Sequence, residues 1–166
     1  MSGVIVQLNR SRGGLPKLPV DTVLRITGDG VEGDWQRDRR HHGGPDKAVL
    51  MIAAELIDKL AASGYPVTYG SLGENLTVRG LDRHSWRSGQ RYRVGEGCVI
   101  ELTTQRVPCL NLNPYGGSIK ADLYDAACKA KDVNSPRWGN GGFYARVINE
   151  GSVFAGATVE LTEELA

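Results

Sequence analysis

A cysteine behind a proline, at the end of an alternating apolar run, is the residue of this sequence best placed to do chemistry. Gln105–Arg106–Val107–Pro108–Cys109 follows Val99–Thr103, whose alternation reads as a strand. Pro108 has no backbone N–H and a fixed φ, so strand pairing is expected to stop there and the Cys109 side chain to project from the sheet edge. Arg106 shares a face with nearby even-numbered strand positions, and its charge favours thiolate over thiol. A thiolate is the form that binds soft metals or carries sulfur. The plainer alternative is a small apolar core residue, which is how Cys98 and Cys128 read. Cys98 opens an apolar run and Cys128 stands on an alanine-rich helix. No two of the three cysteines form a close pair, so an iron–sulfur cluster held by this chain alone is not expected.

The elements that must position this thiol are short and closely punctuated. The chain has 166 residues, 40% hydrophobic and 23% charged, enough for one globular domain with a full-sized core. Its 22 glycines and 7 prolines separate apolar runs rather than forming a linker. Strands are predicted over Val4–Leu8, Val20–Ile26, Ala48–Ile52, Asn75–Val78, Gln90–Val94, Val99–Thr103, Gly142–Val147 and Thr158–Thr162. Gly13–Gly14, Gly28–Asp29–Gly30, Gly43–Gly44–Pro45, Gly95–Glu96–Gly97 and Asn149–Glu150–Gly151 are the turns. Helices are predicted over Ala53–Ala62, ending near Ser63–Gly64, and over Ile119–Lys131 with Ser118 as N-cap. The expected class is mainly β with a few helices, folded as a barrel or a pair of packed sheets. No repeat, low-complexity tract or boundary interrupts residues 1–166, which read as a single domain.

Composition also excludes. With 20 Lys+Arg against 19 Asp+Glu, the net charge of +1 gives no global attraction to nucleic acid or membrane surfaces. No apolar run approaches the roughly 20 residues that span a bilayer. The start, Met1 to Leu8, alternates like a strand and lacks the pattern of a signal peptide. Three widely spaced cysteines suit a reducing compartment, so a cytoplasmic protein is expected. Near-zero charge leaves the oligomeric state open.

In this order, several segments resemble the MOSC domain, the C-terminal module of molybdenum cofactor sulfurases, which also occurs as a stand-alone bacterial protein. They are Lys17–Leu18–Pro19–Val20, Gly30–Val31–Glu32–Gly33–Asp34, His41–His42–Gly43–Gly44–Pro45–Asp46–Lys47–Ala48–Val49, Gly73–Glu74–Asn75–Leu76–Thr77–Val78–Arg79–Gly80–Leu81 and Ser88–Gly89–Gln90. Gln105 to Cys109 then matches the family's cysteine motif, and Gly142 to Gly156 its closing strands. The His41–Gly44 run and Gly116–Gly117 lean toward the stand-alone bacterial type. The resemblance implies a β-barrel-like fold of many short strands that holds the molybdenum cofactor (molybdopterin). It casts Cys109 as the thiolate ligand of molybdenum and Arg106 as its electrostatic partner. A soft sulfur donor suits this metal, and loading should fall at low pH because ligation releases a proton.

Other residues are then candidates for cofactor binding. The segment 30–47 carries Arg37, Arg39, Arg40, His41, His42 and Lys47 beside Gly33, Gly43 and Gly44. Glycines let backbone N–H groups approach a phosphate, and arginines grip it bidentately. Glu32, Asp34, Asp38 and Asp46 balance those charges, so a solvated loop is the alternative. Adjacent histidines without further ligands at a suitable spacing do not suggest zinc. Glu74 and Asn75 either brace loop backbone or contact the pterin. Lys17 either reaches the phosphate or lies over apolar surface with its amine in water. Trp35, Trp86 and Trp138 are candidates for pocket wall or core.

Three functions share these residues. One is a molybdenum-dependent reductase of N-hydroxylated compounds, acting on a small-molecule substrate with electrons from a separate reductase. A second is a sulfur carrier, with a Cys109 persulfide loaded by a sulfur donor. The third is a cofactor-binding module without turnover.

Overall fold

Alternating burial along the strands closes this chain into a barrel. The computed structural model describes residues 1–35 and 44–163; Arg37, Arg39, Arg40, His41, His42 and Gly43 lie outside them. The strands are β1 (Ser2–Arg10), β2 (Leu18–Pro19), β3 (Leu24–Thr27), β4 (Gly30–Val31), β5 (Val49–Ala53), β6 (Leu76–Arg79), β7 (Arg91–Val94), β8 (Cys98–Gln105), β9 (Phe143–Asn149), β10 (Gly151–Val153) and β11 (Thr158–Glu163). Around the barrel the order is β11-β7-β8-β9-β5-β6-β1, and β1 pairs with β11 to close it. Seven strands form the closed ring, with β2 added along β1. An odd ring cannot alternate direction at every step. The mismatch falls at β5 and β6, the parallel pair.

A parallel pair needs a crossover, and helix α1 (Ala54–Ala62) supplies it. Leu56, Ile57 and Leu60 form its buried stripe. Covered by α1 outside and by core inside, β5 is buried at every position of Val49–Ala53, whereas β8 alternates for most of its length. Among the described residues no helix is long and apolar enough to cross a membrane.

Outside the barrel, β10, β3 and β4 form a small three-stranded sheet. The strand expected over Val20–Ile26 is there shifted to Leu24–Thr27, because Leu18–Pro19 pairs separately with β1. The long helix expected over Ile119–Lys131 is two short ones, α2 (Ile119–Leu123) and α3 (Ala126–Lys129). Tyr124 and Asp125 between them are extended, and the Asp125 side chain accepts from Cys128 N at 2.7 Å, starting a new helix. That cap outweighs the continuous alanine face. Ser118 makes no cap hydrogen bond; its hydroxyl pairs with Tyr65 Oη at 2.7 Å.

Candidate functional site

Strand β8 ends at Gln105, and the backbone then makes one more sheet-like bond, from Arg106 N to Gly142 O at 2.9 Å. This bond needs glycine on the opposite strand. A Cβ at Gly141 would stand 2.7 Å from Arg106 O, and Gly142 has φ 85° with Met51 O and Ile52 packed where its Cβ would be. Val107 is exposed, Pro108 offers no donor, and Cys109 is extended at φ −118° and ψ 179°. Its carbonyl accepts from Leu112 N as the 3₁₀ segment Leu110–Tyr115 begins. The result is a half-buried thiol where a strand has just ended. Cys98 and Cys128 are buried.

Cys109 lines a cavity of about 620 Å³. Distant segments meet there: the loop Gly13–Leu15, Lys17, Trp35, Leu72–Gly73, and Leu50 with Tyr144. Leu50 and Tyr144 are direct cross-strand partners on β5 and β9. Arg106 also lines the cavity and is only 4% exposed. Its Nη2 donates to Leu72 O at 2.8 Å, while Nε and Nη1 have no hydrogen-bond partner. Gly73, at φ 91°, leaves room beside it, since a side chain there would run into Leu15.

Lys17 is not a free cation. Its Nζ donates to Asp34 Oδ2 at 2.6 Å, with the two side chains 9% and 4% exposed. Asp34 is held in turn by Ser11 N and by Asn75 Nδ2 at 3.0 Å. Lys17 therefore lines the cavity as half of a buried ion pair.

Glu74 and Asn75 are completely buried and do not line the cavity. Asn75 Oδ1 accepts from Leu50 N, and Nδ2 donates to Asn9 O, so its amide joins β5 and β1 beside the start of β6. Glu74 Oε2 accepts from Gly70 N and Thr77 Oγ1, leaving Oε1 without a partner. Burial pushes the Glu74 carboxyl above its ordinary value, against hydrogen bonds and the Arg106 charge that pull it down. Lys47 sits with its ammonium 5.2 Å from the centre of the Tyr144 ring, and so approaches the cavity through that residue.

Of the tryptophans, Trp86 and Trp138 pack around Phe143 in the core, whereas Trp35 is 54% exposed and lines the cavity. Sequence reasoning did not single out Tyr144. Its phenol is pushed up by burial, with the Arg106 charge opposing and Cys109 reinforcing that shift, which places it in the field of both. Its one signal in the sequence is its place two residues after Gly142, in the strand that faces the Arg106 backbone. Among the described residues no group of three or more His, Cys, Asp or Glu could hold a metal, so Cys109 is the cavity's thiolate donor without a protein cage.

Comparison with known proteins adds to this geometry. The profile of the MOSC domain matches residues 38–160. Uncharacterized protein YflK of Bacillus subtilis is 33% identical over 151 residues, covering 89% of this chain and 62% of that one. Protein YiiM of Escherichia coli is 31% identical over 160 residues, covering 92% of this chain and 65% of that one. Its crystal structure superposes with a TM-score of 0.68 over 100% of this chain and 72% of that chain, at 26% identity. The chain thus spans less than two thirds of the length of these two relatives. A Gibberella moniliformis protein named Reductase is 27% identical over 150 residues, 86% of this chain but 24% of that protein.

Proposed function

The chain belongs to the MOSC domain family, and from that membership we propose that it binds the molybdenum cofactor through Cys109 and reduces N-hydroxylated compounds. The observation that carries this reading is the half-buried Cys109 thiol in the wall of a 620 Å³ cavity, beside a buried arginine. A cavity of this size suits a cofactor-sized ligand. A lone thiolate suits a soft metal whose other ligands come from its own organic part. The orphaned Arg106 donors and the glycine-lined approach at Gly13, Gly14 and Gly73 also fit an anionic group of that kind. A relative named Reductase supports the redox class.

When bound, the cofactor supplies a two-electron acceptor for the substrate oxygen, with electrons returned by a separate reductase. The chain does the positioning. Cys109 holds the metal. Trp35, Leu50 and Leu72 give an apolar wall that excludes water from the reacting group. The Lys17–Asp34 pair, braced by Asn75, fixes the loop side of the cavity.

The test is turnover of a hydroxylated purine or an amidoxime by protein made in cells able to synthesise the cofactor, with an electron-donor reductase added. Reduction that disappears in Cys109→Ser is the expected result. Cofactor-loaded protein without turnover would leave a binding module. Metal-free protein that takes labelled sulfane sulfur onto Cys109 would make it a sulfur carrier.

A further inference from the structure

Arg106 is a buried cation whose counter-charge is missing. Taking a guanidinium out of water is costly unless its donors find acceptors and its charge a partner. Leu72 O satisfies one donor on Nη2, but Nε and Nη1, which carry most of the remaining N–H groups, have no partner. The nearby buried acid does not repair this. Glu74 hydrogen-bonds Gly70 and Thr77, its Oε1 is itself orphaned, and burial favours its neutral form. The cavity's other cation, Lys17, is matched by Asp34 at 2.6 Å. An uncompensated positive charge thus remains in the wall that also presents Cys109.

The rest of that wall is apolar: Trp35, Leu15, Leu50 and Leu72, with the ring of Tyr144. A ligand complementary to such a surface has a flat or greasy body and one acidic group.

We propose that Arg106 forms an oxyanion subsite beside Cys109, so that the cavity selects substrates that carry a carboxylate or similar small oxyanion on an apolar body. A small turn of the guanidinium brings its unpaired donors onto the acid, in the bidentate manner that arginine favours. The proposal rests on reading this cavity as the reaction site. It does not require the metal, and so it is tested on metal-free protein.

Iodoacetate and iodoacetamide are nearly the same size and alkylate the same sulfur, but only the first is an anion. The ratio of their rates at Cys109, divided by the ratio for a small free thiol in the same buffer, reads the subsite directly. Cys98 and Cys128 are buried and are followed separately by mass spectrometry. We expect wild-type protein to favour iodoacetate by about tenfold over the free thiol, as one charge-assisted contact provides. Arg106→Gln should bring the ratio back to the free-thiol value, with Arg106→Lys in between. Benzoate should protect wild-type Cys109 from iodoacetamide saturably, where chloride at equal ionic strength does not. A wild-type ratio equal to that of the free thiol, or one that survives Arg106→Gln, overturns the proposal. Should Arg106→Gln fail to fold, the benzoate arm decides on wild type alone, and no protection overturns it. Because no step reads molybdenum, failure here leaves the cofactor reading standing, and loss of the cofactor reading leaves this one standing.

Discussion

Three cysteines in one chain meet three different environments, and only one is available for chemistry. Burial pushes the Cys98 thiol up to about 11, and Cys128 is likewise raised by burial, whereas Cys109 opens onto a cavity. Limited alkylation of the native protein should label Cys109 first and leave the other two unmodified until denaturant is added; peptide mapping that finds Cys98 or Cys128 modified alongside it would contradict this. The Lys17–Asp34 pair makes a second claim at this scale. Removing one member of a buried pair strands the other charge, so Lys17→Met should cost about 3 kcal/mol in urea unfolding. Adding Asp34→Asn should recover much of that, whereas additive losses would mean the pair is not coupled. A third concerns Glu74, whose carboxyl burial lifts above its ordinary value. The folded protein then keeps a proton that the unfolded chain has released. This contribution is full below the ordinary carboxyl range and is lost as pH rises through the raised value. Stability should therefore fall between about pH 5 and about pH 8, and Glu74→Gln should flatten the fall. An unchanged slope would exclude Glu74 as its source.

At the level of elements, what the sequence made legible was local. The Pro108 stop, the end of α1 near Ser63 and most strand positions follow from residues within a few places of one another. The break between α2 and α3 was also written locally, in Asp125, but the alanine face masked it. Tyr144, Leu50 and Asp34 were not legible as cavity residues, because strand pairing across the barrel brings them there. The junction of β8 with β9 shows how exacting that pairing is. Gly142 holds a left-handed φ of 85° against Met51 and Ile52 and accepts the Arg106 N–H. Gly142→Ala should destabilise by about 2 kcal/mol or more and disturb Arg106 with it, as read by chemical unfolding and Cys109 alkylation kinetics together. A neutral effect would show that this approach tolerates a Cβ.

For the molecule as a whole, closure is what turns separate segments into a site. The barrel joins β1 to β11 and β5 to β6, and the cavity draws on loops and strands from residue 13 to residue 144. Order of motifs along the chain was enough to reach the MOSC family and its β-barrel, since that order is a property of the fold. Chemistry was legible at Cys109 and Arg106, where one short motif carries both. It was not legible at Lys17, whose charge is spent on Asp34, or at Glu74 and Asn75, whose polar atoms are largely spent on neighbouring residues. The account stands on the Cys109 sulfur as the ligand of a bound metal. Elemental analysis of wild type and Cys109→Ser, both purified folded from cells that make the cofactor, tests this most directly. Stoichiometric molybdenum in the wild type that is lost in the variant is the predicted result; equal molybdenum in the two proteins, or none in either, would contradict it.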